Sequence, residues 1–303
     1  SAGRASLCTP MSRFIQILGF CMLATLISSG MAADRETGSG WQKSFGDVTS
    51  LGYRAADQRI SYGPSTEQFV DLWIPEGDSP APVIALVHGG CWLAEYDITH
   101  IRPLATALAE RGYAVWAIEY RRVGQEGGGW PGTFQDIAEA MDLLPAFQDS
   151  RIDTGRAVVA GHSAGGHLAL WAAGRSQLDS NSELYRPSPF IPNGAIGLAA
   201  ITDLEAYADG ENNCQQVTSR LMGGSPVEKP GRYQQASPAW LGSETMVSLL
   251  QGDEDRIVPP GQARRMKGAR PVILEGAGHF DLIHPETQAF PTLLELLHGM
   301  TER

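Results

Sequence analysis

Short apolar runs recur along most of this chain, each closed by glycine, proline or polar turn residues. Residues 83–87, 114–118, 157–160, 195–201, 246–250 and 272–274 are runs of this kind. They show no strict alternation, which suits strands buried on both faces of a parallel sheet. Two earlier segments are more mixed. Residues 69–74 alternate weakly and stop at Pro75, and residues 59–62 read as a first strand. The pattern therefore predicts eight strands. Between several of them the spacing turns helical. Residues 101–111 carry Leu104 and Leu108, and residues 134–147 carry Ile137, Ala140, Met141 and Leu144 at i, i+3, i+4 and i+7. Residues 164–173 directly follow Ser163, and residues 288–298 close the chain. Alternating strands and helices predict an α/β fold: a mostly parallel eight-stranded sheet with helices on both faces and right-handed crossovers.

One stretch breaks the alternation. Residues 203–244 are polar and rich in Gly, Asn and Gln, and only residues 219–222 suggest a helical turn. A stretch this long reads as a lid-like insertion before the seventh strand, or as a surface excursion without a role. No repeat or linker divides residues 33–303, which are read as a single domain.

The N-terminus has a different character. Residues 1–10 read as upstream sequence before Met11. Arg13 is followed by an apolar run over 14–27 and then by small residues, with Gly30 and Ala32 at the positions a signal peptidase favours. Residues 11–32 are thus expected to be a signal peptide cut near Ala32, giving a secreted or periplasmic protein. The apolar run is short against the roughly 20 residues of a membrane span. No stable span is expected after cleavage, with an uncleaved anchor as the alternative.

The formal net charge is −11. Loss of residues 1–32 removes Arg4 and Arg13 and no acid, so the remainder is more acidic still. Such a chain has no general attraction to nucleic acid or anionic lipid. The pairs Arg121-Arg122 and Arg264-Arg265 are isolated and read as solvated surface. Of four cysteines, only Cys91 and Cys214 lie beyond the leader. Export permits a disulfide between them, and spacing alone does not decide it. No Cys or His cluster has zinc-site spacing, so no metal or cofactor is expected. The oligomeric state is not written in the sequence.

The sharpest chemical signal is Gly161-His162-Ser163-Ala164-Gly165. It sits between an apolar strand and a helical segment, the context that a G-x-S-x-G nucleophile elbow requires. Serine needs a tight turn there, and small neighbours allow one. The bland reading is a structural turn. The second signal is His88-Gly89-Gly90-Cys91-Trp92, straight after the strand at 83–87. Its glycines let backbone N–H groups turn toward a substrate oxygen. Gly89, Gly90 and Cys91, with the N–H of Ala164, are the candidate oxyanion hole. His88 precedes the serine and is read as bracing its loop, because the expected order is serine, acid, histidine.

A serine hydroxyl needs a base. His167 lies one turn along the elbow helix and is expected to face away, and His298 falls in the last helix. His279, in Gly276-Ala277-Gly278-His279-Phe280, sits in a glycine-flanked loop at the end of a strand, where functional groups of open α/β sheets collect. It is the candidate base, with His284 as runner-up. The orienting acid is sought in Gly252-Asp253-Glu254-Asp255-Arg256-Ile257-Val258-Pro259. Asp255 is the choice, and Asp203 is its rival. Trp92, Tyr96, Trp130 and His162 are candidate pocket residues, with ordinary packing as the alternative for each.

With these motifs placed, the chain resembles the α/β-hydrolase superfamily of serine hydrolases, in its esterase- and lipase-like group, from about Phe69 to the C-terminus. His88-Gly89-Gly90-Cys91-Trp92 resembles the HGGxW element of kynurenine formamidase-like and carboxylesterase-like enzymes. The loop from Gly252 to Pro259 resembles the GxxDxxVP acid loop shared with prolyl-oligopeptidase-type domains. The Ala236-Ser237-Pro238 sequence is similar to that group as well. The resemblance implies Ser163, Asp255 and His279 as a triad and no cofactor. The expected activity is cleavage of a small-molecule ester or acyl substrate through an acyl-enzyme. An arylformamidase and a prolyl-oligopeptidase-like peptidase use the same triad. A catalytically inactive binding protein on this fold is the alternative outside enzymes.

Overall fold

In the computed structural model residues 42–302 are described, and the expected leader at 11–32 lies outside them. In chain order the elements are α1 (Phe45–Thr49), β1 (Gln58–Ser61), β2 (Phe69–Trp73), β3 (Ala81–Val87), α2 (Arg102–Glu110), β4 (Ala114–Ile118), α3 (Gly132–Leu143), β5 (Ile152–His162) and α4 (Ala164–Gly174). They continue with β6 (Gly194–Leu198), α5 (Leu204–Ala208), α6 (Asn213–Met222), α7 (Pro230–Ala236), α8 (Pro238–Leu241), β7 (Met246–Gly252), β8 (Arg270–Leu274) and α9 (Ala289–Thr301). All eight expected strands form one sheet in the order β1-β2-β4-β3-β5-β6-β7-β8. The pairings β1–β2 and β2–β4 are antiparallel, and every other neighbouring pair is parallel. This is the mostly parallel eight-stranded α/β sheet that the pattern predicted, in the arrangement that the resemblance to α/β-hydrolases implied.

The apolar runs lack alternation because both faces of the inner strands are covered. Along β3, Val83, Ala85 and Val87 pack with one core layer, and Ile84 and Leu86 pack with the other. The first layer takes Phe134, Ile137 and Met141 of α3 and Leu168 and Trp171 of α4. The second takes Leu104 and Leu108 of α2 and Leu293 and Leu297 of α9. Each side chain of this kind contributes roughly 1.5–3 kcal/mol when fully buried. The indole of Trp116 also donates to the Ala140 carbonyl at 3.1 Å, tying α3 to β4. The edge strands look different in sequence for the same reason. β1 alternates between half-buried and exposed, and β8 is largely exposed.

Several boundaries move. β5 begins at Ile152, earlier than its apolar run, while β6 stops at Leu198. α3 ends at Leu143, and a short 3-10 turn containing Pro145 follows, because proline cannot continue the α-helical hydrogen bonding. The larger correction concerns residues 203–244, which fold into α5, α6, α7 and α8 rather than a single helical turn. α6 hides its amphipathicity: its buried residues are Cys214, Gln215, Val217, Thr218, Leu221 and Met222, and three of them, Cys214, Gln215 and Thr218, are not strongly apolar. Its ends are well marked. Asn212 forms a capping box with Gln215, and Gly223 closes the helix in the left-handed region. Among the described residues no helix is long and apolar enough to cross a membrane.

Candidate active site

The C-terminal ends of β3, β5, β7 and β8 meet at one cavity of about 390 Å³. Ser163 stands between β5 and α4 with φ 57° and ψ −121°, a conformation that L-residues rarely adopt. Its N–H donates to the Leu198 carbonyl at 2.8 Å, and its carbonyl accepts from His167 N at 3.0 Å. The glycines of the motif make the turn possible. A Cβ on Gly161 would lie 2.2 Å from the Gly165 carbonyl oxygen. A Cβ on Gly165 would lie 2.2 Å from the Val87 oxygen and 2.3 Å from the His88 oxygen. The bare positions at 161 and 165 let α4 start directly beneath the loop that follows β3.

That loop carries three residues in a row at positive φ: Gly90 at 105°, Cys91 at 53° and Trp92 at 57°. Gly90 and Cys91 line the cavity with Ser163. Gly89 lies underneath, against the elbow, where an added Cβ would sit 3.1 Å from Ser163 Cβ. Ala164 is fully buried at the first position of α4. His88 is buried and meets Glu119 Oε1 with Nε2 at 2.9 Å. Glu119 also takes Arg122 as an ion-pair partner and accepts from Ile98 N at 2.9 Å. Burial pushes its carboxyl up, but His88 and Arg122 outweigh that and hold it below the ordinary glutamate range. The loop thus rests on a buried, compensated charge cluster.

His279 and Asp255 arrive from the loops after β8 and β7. His279 Nδ1 donates to Asp255 Oδ2 at 2.7 Å, and both residues are buried. Asp255 Oδ1 accepts from Ile257 N at 2.8 Å and from Val258 N at 2.9 Å. The carboxylate is thus fixed on one oxygen while the other orients the imidazole. With Nδ1 as donor, Nε2 keeps a lone pair. His162 Nε2–H donates to the His279 carbonyl at 3.0 Å, and the two rings lie 4.5 Å apart. Burial, and then the charge of His279, drive the His162 pKa well below the histidine range, so its ring stays neutral. A serine on a strained turn and an imidazole backed by a buried carboxylate, at one cavity, form a set able to make and break an acyl-enzyme.

The rivals fall elsewhere. Asp203 caps α5 through Ala206 N at 3.0 Å and pairs with Arg265 at 3.2 Å. Asp253 and Glu254 are exposed. His284 Nδ1 accepts from Glu286 N at 3.3 Å, and His298 is exposed on α9. His167 is fully buried, its Nε2–H donating to the Ala236 carbonyl at 2.9 Å.

Of the four expected pocket residues, Tyr96 and His162 line the cavity. Trp92 and Trp130 do not, and both are corrected. Trp92 is fully buried in the core, because its indole N–H finds an acceptor in His167 Nδ1 at 3.1 Å. Trp130 packs edge-on against Phe134, with the Arg232 guanidinium over its ring and its indole N–H on Glu183. Sequence reading missed the rest of the wall. Phe45 of α1 meets Tyr96 and Phe280 in edge-on ring contacts at 5.6 and 5.7 Å. His100, Ile257, Asn212, Asn213 and Cys214 complete it. Burial and the neighbouring His88 push the His100 pKa down to about 3. Cys214 is disulfide-bonded to Cys91, with the Cα atoms 5.1 Å apart. Among the described residues no cluster of acidic, histidine or cysteine side chains is arranged to hold a metal.

A model of the BD-FAE family matches residues 70–269. The chain belongs to the BD-FAE family. The matched stretch contains the loop after β3, the elbow and Asp255, but ends before His279. The chain is also similar to esterase LipC of Mycobacterium tuberculosis, 27% identical over 264 residues that cover 80% of this chain and 65% of LipC. LipM of the same organism, a probable carboxylic ester hydrolase, is 31% identical over 268 residues, covering 80% of this chain and 61% of LipM. This chain therefore spans less than two thirds of the length of those relatives. Among solved structures, a truncated carbohydrate esterase from gut microbiota superposes with a TM-score of 0.70 at 19% identity, covering 83% of this chain and 98% of that one. At that identity the likeness concerns the fold.

Proposed function

We propose that this protein hydrolyses carboxylic esters of small molecules through an acyl-enzyme on Ser163. One observation carries the reading: Ser163, on its strained turn, opens onto the same cavity as His279, whose Nδ1 is tied to buried Asp255 at 2.7 Å. His279 Nε2 takes the hydroxyl proton as Ser163 Oγ adds to the ester carbonyl. The oxyanion is received by the backbone N–H groups of Gly90, Cys91 and Ala164, each worth on the order of 3 kcal/mol in the transition state. The imidazolium, steadied by Asp255, returns the proton to the departing alcohol. Water, deprotonated by His279, then attacks the acyl group, and the proton goes back to Ser163. The similarity to the esterase LipC and to the probable carboxylic ester hydrolase LipM supports this choice of bond. The test is turnover of p-nitrophenyl acetate and butyrate by the wild type and by Ser163→Ala, beside N-formylkynurenine. Folded Ser163→Ala with unchanged turnover, or a large preference for the formamide, refutes it.

We also propose export to the periplasm or the medium. The leader at 11–32 and the disulfide between Cys91 and Cys214 support this, because disulfides persist in oxidising compartments. Finding full-length, uncleaved protein with both thiols free in the cytosol of the native cell would count against it.

A further inference from the structure

We propose that the start of α6 braces the catalytic cavity on two sides at once, making Cys214 and Asn212 positioning residues for the oxyanion loop and the acid loop. The inference rests on the ester-hydrolase reading of Ser163, Asp255 and His279.

The first arm is the disulfide. Cys91 sits in the middle of three consecutive positive-φ residues, and two of those, Cys91 and Trp92, have side chains that disfavour that region. Such a backbone needs an outside constraint to hold it. Besides the backbone hydrogen bonds from Leu93 N to the Gly90 carbonyl at 2.9 Å and from Val123 N to the Trp92 carbonyl at 2.8 Å, each of the two side chains supplies one. Trp92 is anchored in the core through His167 Nδ1, and Cys91 is bonded to Cys214, 123 residues further along the chain. The proposed N–H donors at Gly90 and Cys91 lie just ahead of the core anchor, so the disulfide is what constrains them from the cavity side.

The second arm is Asn212. Its Oδ1 accepts from Gln215 N at 2.9 Å, capping α6. Its Nδ2 donates to the Ile257 carbonyl at 3.0 Å. The Tyr207 hydroxyl donates to the same carbonyl at 3.0 Å. Ile257 N in turn donates to Asp255 Oδ1. Residue 257 is thereby gripped at both backbone ends, its carbonyl by the insertion and its N–H by the proposed catalytic carboxylate. One short stretch, Asn212 to Cys214, touches both loops and also lines the cavity between them. The insertion before β7 therefore acts as a fixed strut rather than as a detachable cover.

Two substitutions separate the arms. Cys214→Ala releases Cys91 and leaves the acid loop alone. Asn212→Ser keeps a cap for α6 but removes the Asn212 Nδ2 donor to the Ile257 carbonyl, leaving that of Tyr207 alone. For Cys214→Ala, kcat for p-nitrophenyl butyrate is expected to fall about 10- to 100-fold, the scale of a displaced oxyanion donor, with KM changing less than about threefold. For Asn212→Ser, the acid limb of kcat/KM against pH is expected to move, because it reports the His279–Asp255 pair. If Cys214→Ala does not fold, dithiothreitol on the folded wild type gives the same readout. The reductant supplies two electrons and two protons, the S–S bond becomes two thiols, and the reagent leaves as its cyclic disulfide. Variants that lose only thermal stability, and keep wild-type kcat and pH profile well below their melting temperatures, overturn the brace alone. A wild type that cleaves no ester overturns the brace together with the reading it rests on.

Discussion

Asp255→Asn changes one heavy atom, and the geometry around the carboxylate dictates the result. Oδ1 accepts two backbone N–H groups, from Ile257 at 2.8 Å and Val258 at 2.9 Å. Asparagine has one carbonyl oxygen and one NH₂, and the oxygen must go where two donors already point. The reverse orientation would set the NH₂ against both N–H groups. The NH₂ therefore faces His279 Nδ1, where the carboxylate oxygen stood. It also faces Gln251 Nε2, which donates to that oxygen at 3.3 Å in the native protein. Two donors cannot meet, so His279 must switch tautomer and place its remaining proton on Nε2. A ring with Nε2–H has no lone pair to take the Ser163 proton.

The expected cost is about 10⁴-fold in kcat, or ~5 kcal/mol of transition-state stabilisation. The assay is kcat and KM for p-nitrophenyl acetate near neutral pH, with folding checked by circular dichroism. Asp203→Asn is the paired control. Its amide keeps the oxygen that caps α5, and asparagine caps as well as aspartate. It loses an ion pair to an Arg265 side chain that is 51% exposed, worth at most about 1 kcal/mol of stability. Activity within about twofold of wild type is expected for this control. A larger loss of activity from Asp203→Asn than from Asp255→Asn refutes the assignment and the tautomer argument behind it.

Three further outcomes follow from the packing. Gly89→Ala would put a Cβ 2.8 Å from the His162 carbonyl oxygen and 3.1 Å from Ser163 Cβ; a fall in kcat of about 10-fold or more is expected, and wild-type kcat would show that the elbow yields easily. Burial holds the His167 pKa down to about 4, and burial with His88 holds that of His100 down to about 3, so both are neutral in the folded state. The unfolded chain binds their protons from about pH 6.5 downward, so their contribution is intact above that pH and is lost as pH falls toward the folded values. At pH 5 each costs about 2 kcal/mol of stability, and urea midpoints that stay level between pH 7 and pH 5 would contradict the sign. Trp92→Phe leaves His167 Nδ1 without its donor and should cost about 1–3 kcal/mol of stability with KM unchanged, whereas Phe280→Ala, in the cavity wall, should raise KM several-fold; a KM effect at Trp92 of similar size would restore it to the pocket.

The sheet was legible because its inner strands are buried on both faces, which leaves an unbroken apolar mark on each run. β4 occupies residues 114–118, the same limits as its run. Helices α2, α3 and α9 were legible through Leu, Ile and Met at helical spacing, and α4, buried all round, through its place directly after the Ser163 turn. α6 was not, since its buried face uses Cys214 and Thr218, residues that an apolar pattern does not count. The loop chemistry was legible for a different reason. Gly161, Gly165 and the acid loop have to satisfy tight backbone contacts that few residue types allow, so their identities are constrained by sterics rather than by hydrophobicity.

The cavity wall obeys neither constraint, and there the sequence is weakest. Phe45, Asn212, Asn213 and Phe280 lie outside the buried core, though Phe280 packs against its edge and Asn212 caps α6; they stand where the ends of several elements face one space. Trp92 shows the converse error. It lies one residue beyond the proposed oxyanion donors, and chain position alone suggests a wall. An indole, however, brings a large apolar surface together with one N–H that needs an acceptor when buried. His167, one turn into α4 from Ser163, supplies that acceptor from the buried side of the helix, its own Nε2–H spent on Ala236. Trp92 therefore links the loop after β3 to the helix that follows Ser163, through a contact hidden from the cavity. The loop that carries the proposed oxyanion donors is thus held from behind by this pair, against α4, and from the cavity side by the Cys91–Cys214 bond, against α6.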